Sequence, residues 1–225
     1  MTMEDKTYCD QGDEYRGKGL YEMAIAQYTK AIEKNPKYHR AYTSRGLVYC
    51  LHIHDLYEEA FLDFSKAIEL CPCDPLSFHG RGLVHYIRED YDAALSDFSR
   101  VLELNPKWSV TLYRINGEIY LKTSQFNKAV VEFTKAIEFN PDQATIYRDR
   151  ALALFHLKEY ERALQDVRIA QQMGVTIDCS DLDPDSLMNC LLKHNESSEN
   201  QTGQGGASII SFSDLKNPSK SVAAF

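Results

Sequence analysis

The sequence lacks the features that mark membrane, secreted and nucleic-acid-binding proteins. No apolar run reaches the roughly 18–20 residues needed to span a bilayer, and the polar, acidic N-terminus does not resemble a signal peptide. Lys and Arg number 25 against 33 Asp and Glu, which gives a net charge of −8. Because phosphate contacts come from Lys and Arg, this balance disfavours binding to nucleic acid or anionic membrane. We therefore expect a cytoplasmic protein, with the nucleus not excluded, and neither nucleic acid nor membrane as its partner.

The sequence also lacks the residue constellations on which catalysis and metal binding depend. No strand pattern and no Gly-rich phosphate loop is present, and the six cysteines have the irregular spacing of reduced thiols. The best metal-ligand candidates form two groups: Cys50, His52 and His54, and then Cys71 and Cys73. A predicted helix over residues 57–70 separates the groups by about 20 Å, whereas zinc ligands lie about 2 Å from the ion. We expect no catalytic residue, no metal, no cofactor and no enzymatic activity.

One segment of 16 residues recurs along the chain. Its copies are YEMAIAQYTKAIEKNP (21–36), YEEAFLDFSKAIELCP (57–72), YDAALSDFSRVLELNP (91–106), FNKAVVEFTKAIEFNP (126–141) and the degenerate YERALQDVRIAQQMGV (160–175). Their first residues are 36, 34, 35 and 34 positions apart. A period of this size is typical of a stacked-repeat protein.

Each copy has the pattern of an amphipathic helix that ends before a proline. Apolar residues fall at the i, i+3, i+4 and i+7 spacing of one helical face. A small residue recurs at one position of that face, in Ala24, Ala60, Ala94, Ala129 and Ala163. A bulky residue recurs one turn later, in Tyr28, Phe64, Phe98, Phe133 and Val167. Proline lacks an N–H and disfavours helix at the preceding residue, so it ends the first four copies.

A second helix is predicted upstream of each copy. Its marker is a small residue four positions after an aromatic, in Gly12, Gly46, Gly82, Gly117 and Ala151. A glycine inside a helix costs roughly 1 kcal/mol relative to alanine. Its recurrence at one position therefore predicts close packing against the partner helix.

The order and spacing of these residues resemble the tetratricopeptide repeat over about residues 5–175. The resemblance implies an all-α fold, a right-handed superhelical solenoid of antiparallel helix pairs. Two departures are visible, because repeat two carries two extra residues within CLHIHDLY and repeat five lacks the glycine and the final proline. We expect a five-repeat array over 1–175, a C-terminal capping helix over 176–194 and a disordered tail over 195–225. A detachable interaction helix is the alternative for 176–194.

Polar residues on the two helices of each repeat vary together. Where the first helix has Arg the second has Asp, in the pairs Arg45/Asp63, Arg81/Asp97 and Arg150/Asp166. Repeat four has Asn116 with Glu132, and repeat one has Gln11 with Gln27. This pattern predicts an ion pair or hydrogen bond between the helices of a repeat. The alternative is a ligand-binding role for the arginines.

The resemblance implies that the first helices line a concave groove, which is the expected partner-binding surface. The predicted binding residues are Arg40, Leu47, His79, Leu83, Arg114, Leu121, Arg148 and Phe155. Their mixture of cationic and apolar side chains predicts a protein or peptide ligand with acidic and apolar residues. Acidic side chains, Asp10 and Asp13, gather at the first end of this surface.

These features predict a non-enzymatic adaptor that binds a peptide or helix of a partner protein in the concave groove. A structural subunit or segment of a larger assembly, packing through its convex surface, is the alternative. The clamp with which some relatives hold the C-terminal carboxylate of a chaperone is not expected. The positions that would carry its Lys, Asn and Arg residues are Cys9, Asp13, Ser44, Leu76 and Gly80.

Overall fold

The computed structural model describes residues 3–52 and 56–175, the first three of them by their backbone alone. These residues belong to one compact unit, Met1–Ile177. The predicted capping helix over 176–194 and the tail over 195–225 lie outside the described residues and stay predictions. Nowhere in the described ranges is there a helix both long and apolar enough to cross a bilayer.

Ten α-helices make up the described part of the chain. They are α1 (Met3–Gly17), α2 (Tyr21–Lys34), α3 (His39–His52), α4 (Tyr57–Leu70), α5 (Pro75–Ile87), α6 (Tyr91–Leu104), α7 (Ser109–Lys122), α8 (Phe126–Phe139), α9 (Ala144–His156) and α10 (Tyr160–Gln172). Each odd-numbered helix packs most extensively against the helix that follows it, and each pair packs against the next pair. The predicted all-α solenoid of antiparallel helix pairs is confirmed.

The core of each repeat forms around the recurring small and bulky residues. The alanines of the second helices are buried, and so are Tyr28, Phe64, Phe98 and Phe133 one turn later. The glycine of the first helix makes room for this ring, because a Cβ added to Gly117 would lie 2.5 Å from Cε1 of Phe133. Close packing at the glycine is thus confirmed, and its partner is the aromatic side chain of the same repeat.

Repeat five follows the same packing rule with a different pair of residues. The glycine is replaced by Ala151 and the aromatic by Val167, and both side chains are buried. A smaller side chain on α10 leaves space for the extra methyl group on α9. The two substitutions therefore compensate for each other in volume.

The predicted ion pairs join the two helices of repeats two, three and five. Arg81 donates to both carboxylate oxygens of Asp97, at 2.8 and 2.7 Å. Arg45 with Asp63 and Arg150 with Asp166 have the same two-bond geometry. Asn116 donates to Glu132 at 3.4 Å in repeat four.

Repeat one departs from this arrangement. The side-chain Oε1 of Gln27 is buried without a hydrogen-bond partner among the described residues. The predicted polar link between the helices is therefore present in repeats two to five. In repeat one, the Oε1 atom of Gln27 makes no such link among the described residues.

The connections between repeats follow one backbone pattern. In three of them an Asn ends the second helix, and its side-chain oxygen accepts the N–H of the residue two positions later. This bond links Asn35 to Lys37 at 3.1 Å, Asn105 to Lys107 at 3.2 Å and Asn140 to Asp142 at 3.2 Å. The side chain at this position therefore points across the turn rather than away from it.

One connection between repeats differs from the others in conformation. Between α6 and α7 the chain forms a short 3₁₀ helix, Pro106–Trp108, in a connection as long as the others, and α7 has 14 residues where α5 and α9 have 13. Here the second helix of one repeat contacts the first helix of the next less extensively than at the other repeat boundaries. The two extra residues of repeat two lie within CLHIHDLY, residues 50–57, of which 53–55 are outside the described residues.

Candidate functional site: the face of the first helices

The first helices of the five repeats are α1, α3, α5, α7 and α9. Their side chains contact one another along one face of the array. We call this surface the first-helix face. At its first end Arg40 on α3 reaches back to α1, where Nη2 lies 2.5 Å from Asp13 and Nη1 lies 3.6 Å from Asp10. The acidic side chains of repeat one and the first predicted arginine are thus one ion-paired cluster.

A buried polar contact links α3 to α5. The hydroxyl groups of Thr43 and Ser77 lie 2.7 Å apart, and both bond the carboxylate of Asp74. Asp74 also caps α5, because it accepts the N–H of Leu76 at 3.1 Å. Thr43 is buried, and its hydroxyl contacts fix the position of α5 against α3.

Charged residues link α5, α7 and α9 at the other end of the first-helix face. Arg114 donates to Glu118 on the same helix, and the field of Asp149 from α9 also acts on Glu118. Burial raises the pKa of Glu118, and burial likewise raises the pKa of Asp149. Lys122 completes this cluster, with Nζ 6.0 Å from the ring centre of Tyr86 on α5.

All three predicted arginines of the binding surface have carboxylate partners. Arg40 pairs with Asp13, Arg114 with Glu118, and Arg148 with Asp149 through two bonds of 2.9 and 2.7 Å. Their charges are therefore balanced within the array. An acidic ligand has to share or displace these carboxylates before it gains an arginine contact.

His79 contributes no positive charge near neutral pH. Its ring meets that of Trp108 edge to face at 4.5 Å and lies 6.1 Å from that of Phe98. Burial lowers its pKa to about 4. The side chain is thus a neutral aromatic contact between α5 and the connection that leads into α7.

The four apolar residues predicted for the binding surface differ in exposure. Leu47 is buried, whereas Leu83, Leu121 and Phe155 are half-buried and pack against the core clusters below them. Each half-buried side chain therefore has a core-facing and a solvent-facing part.

Sequence reasoning missed two residues of this surface. Asp149 was overlooked, although an Asp directly after Arg148 and next to the groove position was a visible signal. Trp108 was overlooked because it lies in a connection, outside the repeat pattern. Its contact with His79 depends on the 3₁₀ helix, which the periodicity does not reveal.

Across 3–52 and 56–175, no group of three or more His, Cys, Asp or Glu side chains is placed to hold a metal ion. The ring of His52 stacks on that of Tyr21, with ring centres 4.2 Å apart. The first-helix face thus carries ion-paired charges and half-buried apolar side chains.

Known proteins share these sequence and structural features. The family model described as TPR repeat matches residues 12–51 and 117–158. Tetratricopeptide repeat protein 6 of Homo sapiens is 30% identical over 148 residues, which are 66% of this chain. The chain spans 28% of the length of this relative and 22% of another curated relative.

Solved structures show the same fold. The crystal structure of the MamA protein matches with a TM-score of 0.69 at 20% identity, over 79% of this chain and 100% of that chain. The crystal structure of YrrB, a TPR protein with an unusual peptide-binding site, matches with a TM-score of 0.66 at 22% identity, over 82% and 90%. With the paired helices, the recurring Gly, Ala and aromatic positions and the matching family model, these likenesses lead to one conclusion: the chain belongs to the tetratricopeptide repeat family.

Proposed function

We propose that this chain is a non-enzymatic adaptor that binds a peptide or helix of a partner protein along the first-helix face. The observation that carries the proposal is the row of half-exposed apolar side chains on three successive first helices, Leu83, Leu121 and Phe155. They lie beside the charged cluster of α7 and α9, so apolar and polar contacts alternate along the surface. Proteins of this fold mediate protein–protein contacts, and the peptide-binding site named for YrrB supports the same use.

The proposed ligand carries apolar residues with acidic residues beside them. Arg40, Arg114 and Arg148 provide the positive side chains, but each already has a carboxylate partner. Charge therefore sets the approach rate and the register of the ligand, and buried apolar side chains supply most of the affinity. We propose neither nucleic acid nor membrane as a partner. The proposed location of the protein is the cytoplasm.

The experiment tests whether binding depends on the first-helix face. A partner recovered by affinity purification is titrated against the wild type, Phe155→Ala and a matched control, Val131→Ala. Phe155 is half-buried on α9, and Val131 is 51% exposed on α8. Phe155→Ala should weaken binding about tenfold or more at any salt concentration, because it removes an apolar anchor. Val131→Ala should bind like the wild type.

The charge component is tested separately. Arg148→Glu should weaken binding at low salt, and the difference from the wild type should shrink as salt is added. Circular dichroism verifies that each variant is folded. A basic ligand, or equal binding to Arg40→Glu, Arg114→Glu and Arg148→Glu proteins, would reject the proposed ligand charge and favour the acidic cluster at Asp10 and Asp13.

A structural segment of a larger assembly is the second candidate, because the second helices also expose apolar side chains. Leu62 is 59% exposed on α4, Val131 is 51% exposed on α8 and Phe139 is 61% exposed at the end of α8. The recovered partner could fail to bind the Leu62→Glu or Val131→Glu variant and still bind Phe155→Ala. That result would identify the second-helix surface as the interface and reject the adaptor proposal.

A further inference from the structure

The connection between α4 and α5 holds two cysteine side chains in contact. The sulfur atoms of Cys71 and Cys73 lie 3.0 Å apart. Cys73 is exposed and Cys71 is half-buried, so small molecules can reach the pair.

The repeats themselves explain why the two thiols meet. Cys71 stands where the other connections have Asn, and its backbone angles, φ −144° and ψ 87°, match those of Asn105, φ −148° and ψ 89°. In those connections the side chain points at the residue two positions later. In repeat two that residue is Cys73. The turn that orients an Asn oxygen in the other repeats therefore orients a thiol toward a second thiol here.

The surroundings favour closure of this pair over reaction of a single thiol. Pro72 between the cysteines fixes one backbone angle, which lowers the entropy that the segment loses on closure. The backbone is held on both sides, since the N–H of Cys71 donates to Ala67 and the N–H of Asp74 donates to the carbonyl of Cys71 at 3.2 Å. The two sulfur atoms thus start close together on a connection with little freedom to separate them.

We propose that Cys71 and Cys73 form an oxidisable dithiol, which a low-molecular-weight disulfide such as oxidised glutathione converts to an intramolecular disulfide. One protein thiolate attacks a sulfur of the small disulfide, forms a mixed disulfide and releases one small thiolate. The second protein thiolate attacks the protein sulfur of that intermediate, closes the Cys71–Cys73 bond and releases the second small thiolate. The protein loses two electrons and two protons, and the small disulfide gains both and becomes two thiols.

A disulfide at this place is exposed and closes a very small ring, which are the properties of readily reduced disulfides. It would form beside Asp74, whose carboxylate caps α5 and bonds Thr43 and Ser77. The site is therefore a reversible modification point at the junction of repeats two and three. It does not depend on the binding function proposed above.

Two other cysteines act as an internal comparison. Cys9 and Cys50 are buried, and burial raises the pKa of the Cys50 thiol to about 11. A thiol that is both buried and protonated reacts slowly, because the thiolate is the nucleophile. Cys9 and Cys50 should therefore stay reduced in folded protein under conditions that oxidise the pair.

The experiment exposes folded, reduced protein to oxidised glutathione, blocks free thiols with an alkylating agent and digests the denatured protein with trypsin. Lys66 and Arg81 bound one tryptic peptide, AIELCPCDPLSFHGR, which holds both cysteines and no others. We expect this peptide to lose the mass of two hydrogen atoms and to take no alkyl group. Dithiothreitol should return both alkylation sites.

The matched variant is Cys71→Asn, which restores the residue found in the other connections and so preserves the turn. Without a second thiol, the Cys73 thiol of its peptide should either carry one glutathionyl group or stay reduced. The peptide should not lose the mass of two hydrogen atoms. If the wild-type peptide accumulates glutathionyl groups or stays fully alkylated while the small disulfide is in excess, the proposed dithiol is rejected.

Discussion

At the residue scale, the packing of each repeat depends on a matched glycine and aromatic side chain. A Cβ at Gly82 would lie 2.6 Å from the ring of Phe98, and a Cβ at Gly117 would lie 2.5 Å from that of Phe133. Since the rings are fully buried, they have no free space into which to move. The glycine is therefore required by volume, although alanine is the better helix former.

This matching predicts coupled effects of substitutions in repeat four. Gly117→Ala should cost about 1–3 kcal/mol of unfolding free energy, because the added methyl group meets the Phe133 ring. Phe133→Val alone should cost about 2–3 kcal/mol through the cavity it leaves. The double variant reproduces the Ala151 and Val167 pair of repeat five. Its unfolding free energy should therefore be about 1–2 kcal/mol higher than the value expected if the two single losses were additive.

Chemical denaturation of the four proteins gives the coupling energy. Gly17→Ala is the matched control, because nothing lies within 4 Å of a Cβ added at Gly17. That variant should be as stable as the wild type or slightly more stable. Strict additivity of the repeat-four substitutions would show that the glycine and the ring do not compete for the same space.

At the scale of helices, bidentate ion pairs join the two members of a repeat and also reach the preceding repeat. Arg45 donates a third bond to Thr29 on α2 at 2.9 Å, and Arg150 donates one to Thr134 on α8 at 3.1 Å. In the corresponding place before Arg81, the hydroxyl of Ser65 is buried without a hydrogen-bond partner among the described residues. The arginines thus have a structural role in joining helices within and between repeats.

Loss of Arg81 should destabilise the pair α5 and α6. Asp97 is only 5% exposed, so Arg81→Ala leaves a buried carboxylate without its cationic partner. We expect a loss of about 2–3 kcal/mol of unfolding free energy. Arg100→Ala is the control, because the side chains of Arg100 and Glu103 are 45% and 64% exposed and such pairs contribute about 0–1 kcal/mol.

Thermal and urea unfolding measure both variants. The double variant Arg81→Met with Asp97→Leu should recover much of the stability, because it removes the charge and its partner together. Equal costs for Arg81→Ala and Arg100→Ala would mean that the buried pair contributes no more than a surface pair.

At the scale of the whole array, each repeat contacts only its neighbours, so stability depends on the junctions. The junction between α6 and α7 has the sparser helix contact and contains the 3₁₀ helix. There His79 packs against Trp108 with ring centres 4.5 Å apart. This junction therefore depends on a titratable side chain that the fold holds in its neutral form.

Acid should weaken this junction through His79. Its pKa is about 4 in the folded protein and about 6.5 in an unfolded chain. Below about pH 6.5 the unfolded chain therefore takes up a proton that the folded chain does not, and stability falls as pH decreases towards 4. Between pH 7 and pH 5 the unfolding free energy should fall by about 2 kcal/mol because of His79. The substitution His79→Gln should remove this part of the pH dependence.

The single tryptophan makes the measurement local, because Trp108 fluorescence reports on this junction. Urea midpoints are compared at the two pH values for the wild type, His79→Gln and the control His156→Gln. His156 is exposed, so its variant should keep the pH dependence of the wild type. An unchanged pH dependence in His79→Gln would assign the acid sensitivity to other groups.

The sequence by itself determined the helices, their pairing and the core. Periodicity predicted a second helix in every repeat, with the observed bounds for residues 57–70, and the joint variation of Arg81 with Asp97 predicted their bond, because these signals repeat in register along the chain. Local spacing is sufficient here, since each contact joins residues within one repeat or adjacent repeats. The glycine position was also predicted from its cost in a helix, although its aromatic partner was not identified.

Only the tertiary structure decided how the candidate surface is charged and where the thiols meet. The pairing of Arg148 with Asp149, the edge-to-face contact of His79 with Trp108 and the approach of Cys71 to Cys73 depend on side-chain direction and on turn geometry. Periodicity reports which face a residue occupies, but not which neighbour its atoms reach. The sequence therefore predicted a binding face with cationic side chains, and the structure showed that those cations already have carboxylate partners, because a carboxylate on the same helix, or on α1 in the case of Arg40, lies within reach of each guanidinium.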